Sequence, residues 1–240
     1  MKFGIVVFPG SNCDRDVAYV TGSLLELPTR MVWHEETDIS DLDVVVIPGG
    51  FSYGDYLRCG ALAQFSPVMS QVLEHAKQGK FVLGICNGFQ VLTEIGLLPG
   101  ALVRNRDLHF ICDRVPVKVE RSDLPWTSAY SAGDVLTLPI AHGEGRYYAD
   151  TDTLTALEDN GQVLFRYCTD TGETSDTGNP NGSVNNIAGI CDRTGKILGM
   201  MPHPERASDP LLGSTDGMKL FQGVLAALAN ETLSTLSLTR

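Results

Sequence analysis

Lys80-Phe-Val-Leu-Gly-Ile-Cys86-Asn-Gly-Phe-Gln90 carries a short apolar run, Phe81 to Ile85, that ends on a cysteine. The run reads as a buried strand, and the residues that follow, Val91 to Ile95, carry helix-compatible side chains. Cys86 therefore falls at a strand-to-helix turn, with Gly84 and Gly88 two residues away on either side. Small neighbours let backbone and substrate approach such a turn, which projects one side chain above a sheet, the logic of a nucleophile elbow. A free thiol of pKa ~8.5 is only a few per cent thiolate at neutral pH. The unpaired N–H groups of a helix N-terminus favour the negative charge and so raise that share. The competing reading of Cys86 is a small buried hydrophobe, as most intracellular cysteines are.

Upstream of the elbow, strand and helix alternate. Phe3 to Phe8 reads as a strand, Asp14 to Leu27 as a helix ended by Pro28, and Arg30 to Trp33 and Asp43 to Pro48 as two further strands. A helix over Pro67 to Gln78 has Ser66 at its N-cap, Pro67 at its first position and Gly79 past its end. Repeated βαβ units with continuous apolar strands predict an α/β fold: a doubly wound, mostly parallel sheet flanked by helices. Reactive groups in such sheets gather outside the carboxyl ends of the strands. The second half is richer in β signals: Val115 to Val119, Val135 to Ile140, Val163 to Tyr167, Ile187 to Cys191 and Ile197 to Met201, the last two joined by the hairpin turn Asp192 to Lys196. Thr169 to Asn186 reads as a surface loop. A helix from Met218 to Leu228 closes a single domain over 1–228, and 229–240 reads as a polar tail.

A chain of 240 residues can bury one sizeable α/β core. The formal net charge of −11 repels a phosphate backbone, which disfavours nucleic acid as a partner. No apolar run approaches the ~18–20 residues of a membrane span, and Met1 to Pro9 shows no secretory cleavage site. Six cysteines lack C-x-x-C spacing, which points to free thiols in a cytoplasmic protein.

A thiol nucleophile needs a base, and the base needs an orienting group. Two of the five histidines have a glutamate two residues on, His142-Gly-Glu144 and His203-Pro-Glu205. Both follow probable strands, so spacing does not separate them; prolines on both sides of His203 favour it as the stiffer base. No P-C-x-x-C segment follows either pair, so a zinc deaminase site is excluded and no metal is expected. Cys13 is a rival nucleophile, but Asp14 and Asp16 beside it oppose a thiolate, and it reads as structural. The loop Pro48-Gly-Gly50-Phe-Ser-Tyr-Gly-Asp55 can turn a backbone N–H toward a reacting oxygen and, with the amide of Asn87, form an oxyanion hole. Walker and G-x-G-x-x-G loops are absent, so no nucleotide cofactor is expected in this chain.

With these residues assembled, the sequence resembles the class I glutamine amidotransferases, whose fold is flavodoxin-like. Within them it resembles the glutaminase subunits of a purine-biosynthetic synthetase. The likeness rests on the elbow, on Met-Met-Pro-His203-Pro-Glu205-Arg, and on Phe-Pro-Gly-Ser-Asn-Cys13-Asp, Ala-His142-Gly-Glu-Gly-Arg146 and Asn179-Pro-Asn-Gly-Ser183. It implies a Cys86–His203–Glu205 triad, Gly50 and Asn87 as oxyanion donors, and Gln90 holding substrate L-glutamine. It further implies a large synthetase partner that uses ATP and magnesium to aminate formylglycinamide ribonucleotide, with a small third subunit bridging the two in some bacteria.

Overall fold

Phe3–Val7 (β1) is followed by a helical turn, Asp14–Ala18 (α1), that widens into π-helix over Tyr19–Leu24. Next come Thr29–Trp33 (β2), Val44–Ile47 (β3), Pro67–Lys77 (α2), Phe81–Ile85 (β4) and Asn87–Glu94 (α3). These elements are seen in a computed structural model that describes residues 1–238. Every residue of β3 and β4 is buried, as strands covered on both faces by helices require. The predicted helix over Asp14 to Leu27 is shorter than expected: the Thr21 hydroxyl donates to the Val17 carbonyl at 3.0 Å, and the next turn opens into five-residue bonding, Leu25 N–H to Val20 C=O.

The second half adds Ala101–Val103 (β5), Ile111–Val119 (β6), Val135–His142 (β7), Arg146–Tyr148 (β8), Thr151–Asp159 (α4), Val163–Tyr167 (β9), Ile187–Cys191 (β10), Ile197–Met200 (β11) and Met218–Leu238 (α5). Nine strands form one sheet in the order β2-β1-β3-β4-β11-β10-β9-β6-β7. The pairings from β2 through β11 are parallel, and those from β11 to β7 antiparallel. The hairpins of the second half thus continue the doubly wound sheet. In the β10–β11 turn, Asp192 Oδ1 accepts the N–H groups of Lys196 and Ile197, at 3.0 and 2.9 Å.

Three further differences from the sequence-based expectation have local causes. The three-residue strands β5 and β8 pair in a small separate sheet, too short to leave a periodic signal. The 169–186 segment is only partly surface, because Asn179, Asn181, Ser183 and Asn186 are buried. Their side chains satisfy backbone that has no ladder: Asn181 Nδ2 donates to Gly145 C=O at 2.8 Å, and Asn186 Nδ2 to Tyr167 C=O at 3.1 Å. Helix α5 continues to Leu238, ten residues past the expected end, so most of the segment read as a tail is helical backbone. The last two residues of that segment lie outside the described residues. Among the described residues no helix is long and apolar enough to cross a membrane.

Four neighbouring parallel strands, β1, β3, β4 and β11, end at the same edge. Their outgoing loops carry Cys13, Gly49 and Gly50, Cys86, and His203, which is how residues far apart in the chain are brought together.

Candidate active site

Cys86 follows β4 directly and sits at the N-cap of α3 with φ +51° and ψ −106°, a conformation rare for a side chain other than glycine. The surroundings fix it there. Its N–H donates to Met200 C=O at 2.8 Å and its C=O accepts from Gln90 N–H at 3.2 Å. Gly88 permits the turn: a Cβ there would strike the carbonyl of Ile47 in β3. The elbow read from the sequence is therefore present, and its strain belongs to a residue that is 6% exposed at the edge of a small cavity.

His203 comes from the loop after β11, where its N–H donates to Pro139 C=O of β7 at 2.8 Å. Its Nδ1 donates to Glu205 Oε1 at 2.7 Å, and both side chains are almost wholly buried. Gly49 locates the meeting of base and sulfur. A Cβ placed on Gly49 would stand 2.7 Å from His203 Cε1, 3.0 Å from Cys13 Sγ and 3.4 Å from Cys86 Cβ. Imidazole and nucleophile are thus neighbours around one vacant corner. Burial alone lowers the His203 pKa, but the Glu205 carboxylate and the Cys86 and Cys13 sulfurs outweigh it and hold the ring well above the usual imidazole value. Nε2 has no aligned hydrogen-bond partner among the described residues, so it is available to substrate.

The geometry separates the two histidine–glutamate pairs that spacing left equal. Glu144 lies 3.6 Å from Arg104 and forms no bond to His142. His142 Nδ1 instead meets Asn105 Oδ1 at 3.1 Å, and burial, reinforced by the His203 charge, pushes its pKa down to about 4. A neutral histidine without a carboxylate is an anchor for its loop. Asn105 completes that anchor by donating to the carbonyls of His109 and His142, both at 2.8 Å, and accepting from Gly145 N–H at 3.1 Å.

Gly50 has φ +144°, and a Cβ on it would lie 2.6 Å from Asn12 N and 2.9 Å from Ser11 Cα, so only glycine fits. Its N–H finds no acceptor among the described residues. Asn87 opens α3, so its N–H has no carbonyl one turn earlier to reach. Both predicted oxyanion donors therefore carry an open N–H beside Cys86. The Asn87 side chain ties the two loops together, accepting from Ser52 N–H at 3.2 Å and donating to Gln90 Oε1 at 2.9 Å. Gln90 in turn donates to Glu144 C=O at 2.6 Å. Both ends of its amide are occupied, and Gln90 does not line the cavity at Cys86.

That cavity, of about 100 Å³, is bordered by Cys13, Gly50, Phe51, Cys86, Phe110 and His203 among others. Cys13, read from sequence as structural, is thus inside the site. Its Sγ, a His203 ring nitrogen and a Glu205 oxygen lie within 4.8 Å of one another, a metal-sized cluster. Arg206 Nη2 donates to that sulfur at 3.1 Å, and a fixed guanidinium there opposes a cation. The arrangement suits covalent chemistry at a carbonyl carbon: an elbow thiol, a carboxylate-oriented imidazole and two free backbone donors.

Residues 1–222 match the CobB/CobQ-like glutamine amidotransferase domain family. The chain is 75% identical over 228 residues to a phosphoribosylformylglycinamidine synthase subunit PurQ of Acaryochloris marina, covering 95% of this chain and 97% of that protein. It is 76% identical to the protein of that name from Trichormus variabilis, with 94% and 97% covered. Among solved structures, one chain of PurLQS from Thermotoga maritima superposes with a TM-score of 0.84 at 40% identity, covering 95% of this chain and 98% of that one. A glutamine amidotransferase from Thermotoga maritima shares the fold at 15% identity, with a TM-score of 0.57, covering 98% of this chain and 85% of that one.

Proposed function

This chain belongs to the CobB/CobQ-like glutamine amidotransferase family, and from that premise we propose that it is the glutaminase subunit of a phosphoribosylformylglycinamidine synthase. The observation that carries the chemistry is the meeting of Cys86 and the buried His203–Glu205 pair at the corner left by Gly49. Full-length likeness to PurQ proteins carries the biological setting.

The Cys86 thiolate attacks the side-chain carboxamide carbon of L-glutamine, and the N–H groups of Gly50 and Asn87 hold the oxyanion. His203, protonated and oriented by Glu205, gives its proton to the departing ammonia and leaves a γ-glutamyl thioester on Cys86. The neutral ring then takes a proton from water, the hydroxide attacks the thioester, and glutamate leaves. Ammonia exposed to bulk water would become ammonium, which is no nucleophile, so a docked synthetase must receive it. That partner would use ATP and magnesium to aminate formylglycinamide ribonucleotide, with a small third subunit in the complex, and no cofactor is assigned to this chain itself.

Loops that border the cavity expose apolar side chains suited to a docked partner. Phe51 and Phe110 border it and are half exposed, and Leu57, Phe65 and Leu108 present largely uncovered apolar side chains from the same or neighbouring loops. Exposed large apolar groups beside a reactive site are the mark of a partner interface. Gln90 would hold glutamine only if a docked partner freed its amide from Glu144.

The test is to assay the complex with either nitrogen source. Cys86→Ser should lose glutamine-dependent amination while ammonia-dependent amination survives. Glutaminase activity persisting in that variant would overturn the assignment of the nucleophile.

A further inference from the structure

We propose that Cys13 is a positioning residue for this reaction: its sulfur, braced by the Arg206–Asp16 pair, holds the His203 imidazole in register with Cys86. The inference rests on the reading of Cys86 and His203 as nucleophile and base. Cys13 stands in the loop after β1, 3% exposed, with its N–H donating to Gly49 C=O at 3.1 Å. That bond fixes the sulfur beside the vacant corner where His203 Cε1 and Cys86 Cβ also converge. A cysteine used only for packing needs no polar partner, yet this one receives Arg206 Nη2 at 3.1 Å. Asp16 Oδ2 accepts from Arg206 Nε at 3.0 Å and so aims the guanidinium. Asp16 is thereby paired with that arginine, not an isolated carboxylate beside the sulfur.

The groups facing His203 come from each neighbouring element. Glu205 and Arg206 come from its own loop, Cys86 from the elbow, Cys13 from the β1 loop and His142 from the end of β7. Glu205 holds Nδ1 and leaves the ring free to tilt about that one bond. The Cys13 sulfur, within 4.8 Å of a His203 ring nitrogen, stands in the way of that tilt, and a sulfur beside the ring favours its protonated form. Protonated His203 is what the departure of ammonia requires.

The experiment uses the chain in complex with its synthetase. Glutamine-dependent kcat and KM are followed across pH, and Cys86 alkylation by iodoacetamide is followed by peptide mass spectrometry without glutamine. Cys13→Ala should lower kcat roughly 10- to 100-fold, the loss expected of a misplaced catalytic group, with KM little changed. The alkaline limb of kcat/KM should move to lower pH, because the protonated ring is less favoured. Cys86 alkylation at neutral pH should slow, and Cys13→Ser, whose oxygen keeps an acceptor for Arg206, should restore part of the rate. A lowered Tm with unchanged kcat and an unmoved alkaline limb would assign Cys13 to packing and overturn the inference. Should Cys13→Ala fold poorly, Arg206→Lys keeps the positive charge and loses the directed bond to the sulfur; the same displacement of the limb supports the proposal, and an unmoved limb defeats it. A wild-type complex that turned over no glutamine would defeat the functional reading itself. A wild-type complex that did, with Cys13 variants matching it, would defeat this inference alone.

Discussion

Glu205 accepts the Nδ1–H of His203 at 2.7 Å in a place neither side chain shares with water. An ion pair so buried is costly to half-remove, since the surviving charge stays in a low-dielectric site. Glu205→Ala should therefore destabilise the chain by about 3–5 kcal/mol. Glu205→Gln keeps the shape and loses the orienting charge; glutaminase kcat should fall by about 10²-fold or more. Denaturant melts of both variants beside steady-state kinetics check this. A Glu205→Gln enzyme of wild-type activity would remove the carboxylate from the mechanism.

Gly50→Ala should be inactive without being unfolded. The added methyl meets Asn12 N and Ser11 Cα, backbone atoms that cannot swing aside, and φ +144° is closed to alanine. The peptide must turn, taking the N–H from the oxyanion position, at a cost of about 10²–10³ in kcat. Retained near-ultraviolet circular dichroism with lost turnover is the expected pair of results; unchanged turnover would exclude this N–H as a donor.

Acid should destabilise the fold between about pH 6.5, the ordinary imidazole value, and pH 4. His75, bonded to Phe81 C=O at 3.3 Å, is pushed down to about 4, chiefly by burial, and His142 behaves alike. For a group whose folded pKa is depressed, the unfolded chain binds the proton first, so stability is full above pH 6.5 and declines as pH falls toward 4. His203 has the opposite sign: its contribution is full below the ordinary value and declines as pH rises through its elevated one. Urea midpoints measured from pH 7 to 4 should fall less steeply in His75→Gln than in the wild type. Equal slopes would show that His75 is not the group being charged.

Asn105→Ala should loosen the 142–146 loop. Its amide bonds to His109, His142 and Gly145, and its loss leaves buried groups unpaired at about 1–3 kcal/mol. Amide hydrogen exchange should quicken at Gly145. Unchanged protection would place the loop's anchor elsewhere.

The parallel half of the fold was legible because its signals are local. An apolar run of strand length, Pro67 with Gly79, and the glycines around Cys86 each act within one turn of chain. The base was not legible from spacing, because His142-Gly-Glu144 and His203-Pro-Glu205 present the same pattern. Only the fold shows that Glu144 goes to Arg104 while Glu205 stays with its histidine. The acidic neighbours of Cys13 make it look structural in sequence, and nothing near it announces that Arg206, far along the chain, takes up Asp16. The asparagines of 179–186 look like loop residues because burial of a side-chain amide is decided by distant backbone, here Gly145 and Tyr167.

In the proposed reaction the sulfur of Cys86 becomes covalently bound to the glutamyl group under the control of His203. Rapid acid quench of the complex during glutamine turnover, followed by peptide mass spectrometry, detects that bond. A glutamyl thioester should be found on the peptide containing Cys86 and be absent when His203→Ala replaces the base. An adduct on the Cys13 peptide instead, or full accumulation at Cys86 without His203, would contradict it.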